Sequence, residues 1–312
     1  MIRYAALRLV LAVPTLLGML TVIFVLVRLV PGDAAMVILG EQANEAALQA
    51  LRSKLGLDRP LYVQYLDFVG GVLTGDFGRS LASGRPVLDE VRFVLPYTIE
   101  LTAAALGLGV IFGLLLGVLA AVRRNQAADY LGRVFSLVGL SFPAFVSGIL
   151  LLLVFAVELG WFPVLGGGGE GPAAGLRNLA LPALNLGLIM TAYIMRVTRS
   201  SMLAVLGEDY IRTARAKGVR ARQVIMRHGL RNALIPIITV VGLYFGTLIG
   251  NSVLTEIVFN RPGLGKLILG ALNTRDYALL QGLMIVFAIC IIVVNTLTDL
   301  AYGFVDPRVK YK

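Results

Sequence analysis

Three places in the chain hold residue types that could do chemistry, and their spacing decides what each is worth. "PGLGKL", residues 262–267, is the nearest approach to the loop that wraps a nucleotide's phosphates, in which a glycine is followed, after four intervening residues, by Gly-Lys and a magnesium-binding Ser or Thr. Asn260 stands where the first glycine belongs and Leu267 where the hydroxyl belongs, so the chain is not expected to bind ATP by itself. His228, the only histidine, sits among arginines without a carboxylate or thiol at ligand spacing, and is read as a polar surface residue. Cys290 is the single cysteine; a disulfide within the chain is impossible, zinc ligation is not credible, and it is read as packing. No region clusters Ser/His/Asp, Cys/His or paired carboxylates, so a non-catalytic chain is expected, with no metal and no cofactor of its own.

The elements that carry these residues belong to a membrane. Of 312 residues, 58% are hydrophobic and only 15% charged, with a mean hydropathy of +0.84, against about 25% charged in soluble domains. A helix needs about 20 residues to cross the hydrocarbon layer. Six nearly charge-free runs meet that length, and spans are expected at about 9–29, 99–122, 134–157, 179–199, 233–255 and 278–302. Backbone amides find no water in lipid, and the period-2 alternation of a membrane barrel is absent, so the fold class is all-α: a polytopic six-helix bundle forming one domain over 1–312. The first run follows Arg3 and Arg8 as a secretory signal would, but it is long and "RLVPGDAAM" is a poor cleavage site, so an uncleaved span is expected. Arg28, Glu100, Glu256 and Asp299 all lie near span ends, which disfavours a proton- or sodium-driven pump.

Orientation follows from the basic residues. Seventeen of the 28 Lys and Arg lie on the side of the two termini, in the N-terminus, loop 123–133, loop 196–231 and the tail. Loop 31–96 on the other side holds six basic and eight acidic residues. The termini are therefore expected in the cytoplasm, and the charge of +10 reflects topology and lipid headgroups, not nucleic acid.

Within the outer loop, "NEAALQALRSKLG" predicts a helix capped by Asn44 and ended by Gly56, and a second amphipathic helix follows Pro60. The loop is either a lid on the bundle or a partner-docking surface. Gly109, Gly113 and Gly117, and again Gly242, Gly246 and Gly250, form stripes that let another helix backbone approach closely. Pro143 and Pro182 are expected to bend or interrupt their helices. Asn185, Asn251 and Asn295 are the polar residues deeper in the spans, able either to line a path or to bond helix to helix.

Between the fourth and fifth spans, residues 208–217 read as a short helix, with Glu208 and Asp209 at its positive end, Arg215 and Lys217 at its negative end and Gly218 to stop it. Tyr210, Thr213, Ala214 and Lys217 are expected on one face. "VRARQVIMRHGLRNALIP" then reads as a surface helix before the chain re-enters the bilayer near Pro236. Charge alone would orient the chain; two helices with a glycine break suggest a rigid knob offered to a cytoplasmic partner.

"DYIRTARAKG" followed by "HGLRNALIP" resembles the cytoplasmic signature loop, the EAA loop, of ABC-importer permeases in its dipeptide/oligopeptide-family form. The resemblance extends over nearly the whole chain: "LVRLVPGD", "LGLDRPLYVQYLDFVGGVLTGDFGRSLASGRPV", "RVTRSSML", "IVFNRPGLGKL", "RDYALLQG" and "DPRVKY". It implies a type I ABC importer permease fold in which loop 200–231 carries a coupling helix docked on an ATPase subunit. The ATPase-coupling residues it implies are Glu208, Asp209, Tyr210, Arg212, Thr213, Ala214, Arg215, Ala216, Lys217 and Gly218, the last being the loop glycine. Thr213-Ala214-Arg215-Ala216 replaces the generic Glu-Ala-Ala, which weakens any contact assigned to that glutamate. The resemblance further implies a second homologous permease, one or two ATPases that bind ATP and Mg, and a periplasmic or extracellular solute-binding protein. The expected location is a bacterial or archaeal cytoplasmic (inner) membrane. Di- and oligopeptides are the expected cargo, with nickel chelates, glutathione, opines or oligosaccharides as alternatives and a stand-alone channel or carrier as the rival.

Overall fold

The computed structural model describes residues 2–29, 36, 39, 44–54, 56–164 and 171–305. The tail motif "DPRVKY", the "PGD" residues after the first span and the side chains of Arg3 and Arg8 lie outside the described residues. In chain order the helices are α1 (Ile2–Leu29), α2 (Glu45–Lys54), α3 (Leu61–Thr74), α4 (Val87–Val122), α5 (Ala127–Ser141), α6 (Ala144–Glu158), α7 (Pro172–Leu206), α8 (Asp209–Ala216), α9 (Ala221–Val258), α10 (Leu264–Asn273) and α11 (Tyr277–Val305). Among the described residues five are long and apolar enough to cross a membrane, and the bent pair α5–α6 makes a sixth span if counted as one.

Several helices outrun their predicted spans: α4 begins at Val87 and α9 at Ala221. The reason is physical, since a charge-free run measures the lipid-facing part of a helix and the charged turn "VLDEVR" continues the same hydrogen bonding outside it. Between α5 and α6 the chain turns by 105° at "SFP". Phe142 is extended (φ −91°, ψ 130°), as the residue before a proline is driven to be, and Pro143 opens the next helix. Pro182, in contrast, lies inside an unbroken α7.

Contacts gather into two compact units, Tyr97–Arg261 with Val293–Lys312 and Met1–Ala5 in one, and Ala6–Pro96 with Pro262–Ile292 in the other. The first is organised around α7, whose apolar stretch is 67% buried where other spans range from 17% to 44%. Leu186, Met190, Ile194 and Met202 of α7 pack with Leu101 and Ala105 of α4 and Ala233, Ile237 and Leu248 of α9. The stripe on α4 explains the closeness. A methyl group added at Gly113 would lie 2.7 Å from Ile194 Cβ, and one at Gly117 would lie 2.5 Å from Thr198 Cβ and 2.8 Å from the Met195 carbonyl. Of the three stripe glycines on α9 only Gly242 is crowded, by Thr298 of α11; Gly246 and Gly250 face open space.

Polar pairs fix this unit at both ends. Asn185, left open by its sequence, bonds helix to helix: its amide donates to the Ala144 carbonyl at 2.9 Å and its oxygen accepts from Ser147 Oγ at 2.7 Å. Thr98 Oγ1 donates to the fully buried Glu256 at 2.6 Å, and Arg261 pairs with Glu100. Asp129, also fully buried, accepts from the Asn125 backbone at 2.9 Å and from Arg199 Nη2 at 2.9 Å.

The second unit is built from α1, α2, α3, α10 and the unit's shares of α4 and α11. Asn44 Oδ1 accepts the Ala47 amide at 2.7 Å, the cap its position predicts, and Gly56 (φ +67°) ends α2. Leu20 and Ile23 of α1 pack with Phe68 and Val72 of α3 and Ile285 and Ala288 of α11. Val87, Val91 and Val94 pack with Leu264 and Ala271 of α10 and Leu279 and Leu283 of α11. Buried Asp276 caps α11 through the Leu279 amide (3.0 Å) and holds residues 80–82 through Ser80 Oγ (2.6 Å) and the Ala82 amide (3.1 Å). The "PGLGKL" segment is the start of α10, with Lys266 in its first turn, so its backbone does not form a phosphate-wrapping loop.

Candidate coupling surface

Helix α8 is eight residues long, too short to hold itself together in water. Its stability has to come from its ends and from what it leans on. At the N-terminus Glu208 is extended and Asp209 lies in the first turn; at the C-terminus Arg215 lies in the last, so the charges complement the peptide dipoles. The stop is a Schellman motif. Gly218 takes φ +74°, its amide bonds the Arg215 carbonyl at 3.0 Å, and the Val219 amide reaches back to the Ala214 carbonyl at 3.2 Å. Nothing lies within 4 Å of where a Gly218 side chain would begin, so the demand for glycine there is conformational and not steric.

Ile211 is the anchor. It is fully buried while Glu208, Asp209, Arg212, Thr213, Arg215, Ala216, Lys217 and Gly218 are all exposed. Ala214, one turn on, is half-buried on the same side, so the expected shared face of Tyr210, Thr213, Ala214 and Lys217 is not presented as one outward surface. Helix α8 leans on residues 224–230, the π-helical turn near the start of α9. Asn232 Nδ2 donates to the Tyr210 hydroxyl at 2.9 Å and to the His228 carbonyl at 2.9 Å, which closes the contact with a polar clamp. The π turn is itself seated on α7, where Gly229 has Met202 Cε and Leu206 Cδ2 within 3.2 and 3.3 Å of its missing Cβ.

The helix expected at the membrane surface before re-entry near Pro236 is not a separate element. α9 runs unbroken from Ala221 through Pro236 to Val258, so the basic segment and the following span are one rod. The ten residues singled out from sequence span 208–218, with a gap at Ile211, and fall on α8 and its caps. Ile211 and Asn232, which position that helix, were not singled out. Ile211 had a signal, as the sole large aliphatic side chain in "DYIRTARA"; Asn232, 22 residues from Tyr210, had none.

The knob is an exposed surface with acids at one end and Arg212, Arg215 and Lys217 along the rest. Residues 113–311 match the family of binding-protein-dependent transport system inner membrane components, and residues 1–102 match that system's membrane-component N-terminal family. The chain belongs to this permease family. Relatives named glutathione transport system permease protein GsiC are 42% identical in Salmonella typhimurium (strain LT2) and Escherichia coli (strain K12) and 43% in Pectobacterium atrosepticum, over 312 residues covering all of both chains in each case. Among solved structures, the MetNI methionine ABC transporter in an inward-facing conformation shares the fold at TM-score 0.55 and 19% identity, covering 70% of this chain and 96% of that one. An amino acid ABC transporter with histidines matches at TM-score 0.53 and 17% identity, covering 70% and 94%. The permease is thus an inner-membrane, multi-pass subunit of an ABC importer, with the type I permease fold. Subunits of this kind are non-catalytic, and in general they work with a partner permease, an ATPase and a solute-binding protein.

Proposed function

We propose that this permease pairs with a second, homologous permease chain to enclose the path for a short peptide, and that α8 with Gly218 is the joint through which one or two ATPase subunits drive it. The observation that carries the coupling reading is the build of α8: a helix too short to stand alone, pinned by Ile211 and the Tyr210–Asn232 clamp and stopped by a Schellman glycine. Displacement of such a helix passes directly into α9, because the π turn it leans on is continuous with that span. In this reading loop 31–96 faces the periplasm or cell exterior, where α2 and α3 meet the solute-binding protein, and loop 200–231 and both termini face the cytoplasm.

For cargo, 42–43% identity over the full length with permeases named for glutathione favours glutathione, which stood among the alternatives, over the di- and oligopeptides expected from sequence. A binding protein makes the selection in such importers, so the test must include it. Uptake of labelled glutathione and of di- and tripeptides is measured in vesicles carrying the complete importer, with and without ATP. ATP-dependent glutathione uptake supports the reading; uptake that persists without any ATPase overturns the coupling half, and uptake of a non-peptide alone overturns the cargo half.

A further inference from the structure

A cleft of about 310 Å³ opens between α5 and α7, lined by Arg133, Ser136, Leu137 and Leu140 on one side and Met195, Arg196 and Arg199 on the other. That volume is at the lower end for a small-molecule pocket. Its chemistry is divided. Leu137, Leu140 and Met195 give an apolar wall, and three guanidinium groups gather beside it.

The charges do not cancel. Asp129 is the acid that pairs with this group; it is fully buried and is held by Arg199 through two hydrogen bonds, with Arg133 more loosely at 3.5 Å. Arg199 is thereby fixed as part of the wall. Arg133 is steered by Tyr130, whose ring centroid lies 4.3 Å from the guanidinium carbon. Arg196 is exposed and makes no ion pair among the described residues. Three cations against one anion leave an excess of positive charge at the edge of an apolar slot, on helices that belong to a membrane span. Such a slot fits a molecule with a negative head and an apolar tail, because basic pockets between membrane helices meet lipid phosphates where they surface.

We propose that the α5–α7 cleft binds an anionic phospholipid, with its phosphate between Arg133 and Arg196 and the start of an acyl chain along Leu137 and Leu140. The site rests on the chain being a membrane subunit and on neither its cargo nor its coupling, so an importer inactive in uptake still answers the question. Arg199, committed to Asp129, serves as a positioning residue and not as the headgroup ligand.

The test uses the assembled importer in nanodiscs of phosphatidylcholine doped with a photoactivatable phosphatidylglycerol, the adducts being mapped by mass spectrometry. Adducts are expected on residues 132–141 and 195–199, suppressed by unlabelled phosphatidylglycerol and not by added phosphatidylcholine. Arg133→Gln and Arg196→Gln should each lower labelling roughly fivefold, the loss of one basic contact at a lipid surface. Labelling unchanged in the double variant would overturn the proposal, as would equal competition by phosphatidylcholine. Competition by inorganic phosphate alone would make the ligand a soluble anion, and labelling present in the isolated chain but absent in the complex would assign the face to a protein neighbour; either rejects the lipid. Native mass spectrometry of co-purified lipid gives a second reading if either variant assembles poorly: wild type should retain phosphatidylglycerol or cardiolipin, and retention of zwitterionic lipid alone counts against the site.

Discussion

The Tyr210 hydroxyl accepts a hydrogen bond from the Asn232 side-chain amide at 2.9 Å, and that bond links the solvent-facing α8 to the membrane-crossing α9. The Asn232 amide also holds the His228 carbonyl, so one side chain serves both the clamp and the π turn beneath it. Tyr210→Phe removes the first link and the long bond the hydroxyl donates to the His228 carbonyl at 3.5 Å, leaves the Asn232–His228 bond, and should cost about 0.5–1 kcal/mol. Asn232→Ala removes both bonds that Asn232 donates. In the coupling reading, each variant lowers substrate moved per ATP hydrolysed, Asn232→Ala by about threefold, while the complex still assembles; a transport-to-ATPase ratio equal to wild type in both would show that the clamp transmits nothing.

At position 218 the expected order of function is Gly, then Asn, then Ala, with Val last. The φ of +74° costs an L-residue about 1–2 kcal/mol, Asn tolerates it best and a β-branched side chain worst. Because the surroundings are open, size by itself should not matter, and Asn, larger than Ala, should outperform it. ATP-driven uptake at matched expression measures the series. An order that followed side-chain volume instead would mean that a partner packs against this residue.

Asp129 and Arg199 test a buried pair. Asp129→Ala strands the part-buried guanidinium of Arg199 and frees the Asn125 amide, for an expected loss of about 3 kcal/mol. Replacing both partners by apolar residues, Asp129→Leu with Arg199→Met, should destabilise less than either single change, since no charge is then left uncompensated. Thermal unfolding in detergent distinguishes these outcomes, and additive losses would remove the pair as their cause.

The glycine stripes should behave unequally. Gly117→Val drives a side chain into Thr198 and the Met195 carbonyl, an overpacking that costs about 1–3 kcal/mol or prevents folding. Gly246→Ala meets open space inside a helix and should leave stability unchanged or raise it by up to about 1 kcal/mol in the isolated chain. Folded yield by fluorescence-detected size exclusion reads both. A loss at Gly246 seen only in the assembled importer would point to a second chain against that stripe.

Local signals were legible and distant ones were not. Hydropathy pointed to the five long apolar helices and the bent pair, Asn44 and Gly56 announced both ends of α2, Pro143 announced the 105° turn though Pro182 announced none, and Gly218 announced the end of α8. Each is a statement about a few consecutive residues. The partner of Asp129 lies 70 residues away, that of Ser80 196 away and that of Glu256 158 away, and no periodicity encodes which polar residue meets which across such separations. The same limit explains the site. The composition of α8 and its caps could be read directly, whereas the two residues that hold α8 in place act through tertiary contacts. The glycine repeats on α4 and α9 look alike in sequence and differ in space, because a stripe states what a helix face permits and not whether a neighbour has taken it up.

The empty surroundings of Gly218 carry a consequence about handedness. A φ of +74° is strained for an L-residue and relaxed for its mirror image. D-alanine, introduced there by chemical ligation, would sit in its preferred basin, touch nothing, and give the unfolded chain fewer alternatives than glycine does, stiffening the joint by about 0.4–1 kcal/mol. Glycine is the residue among the genetically encoded ones that meets this geometry freely, yet it is not the most rigid that the backbone would accept, so the joint at the end of α8 is looser than its own fold requires.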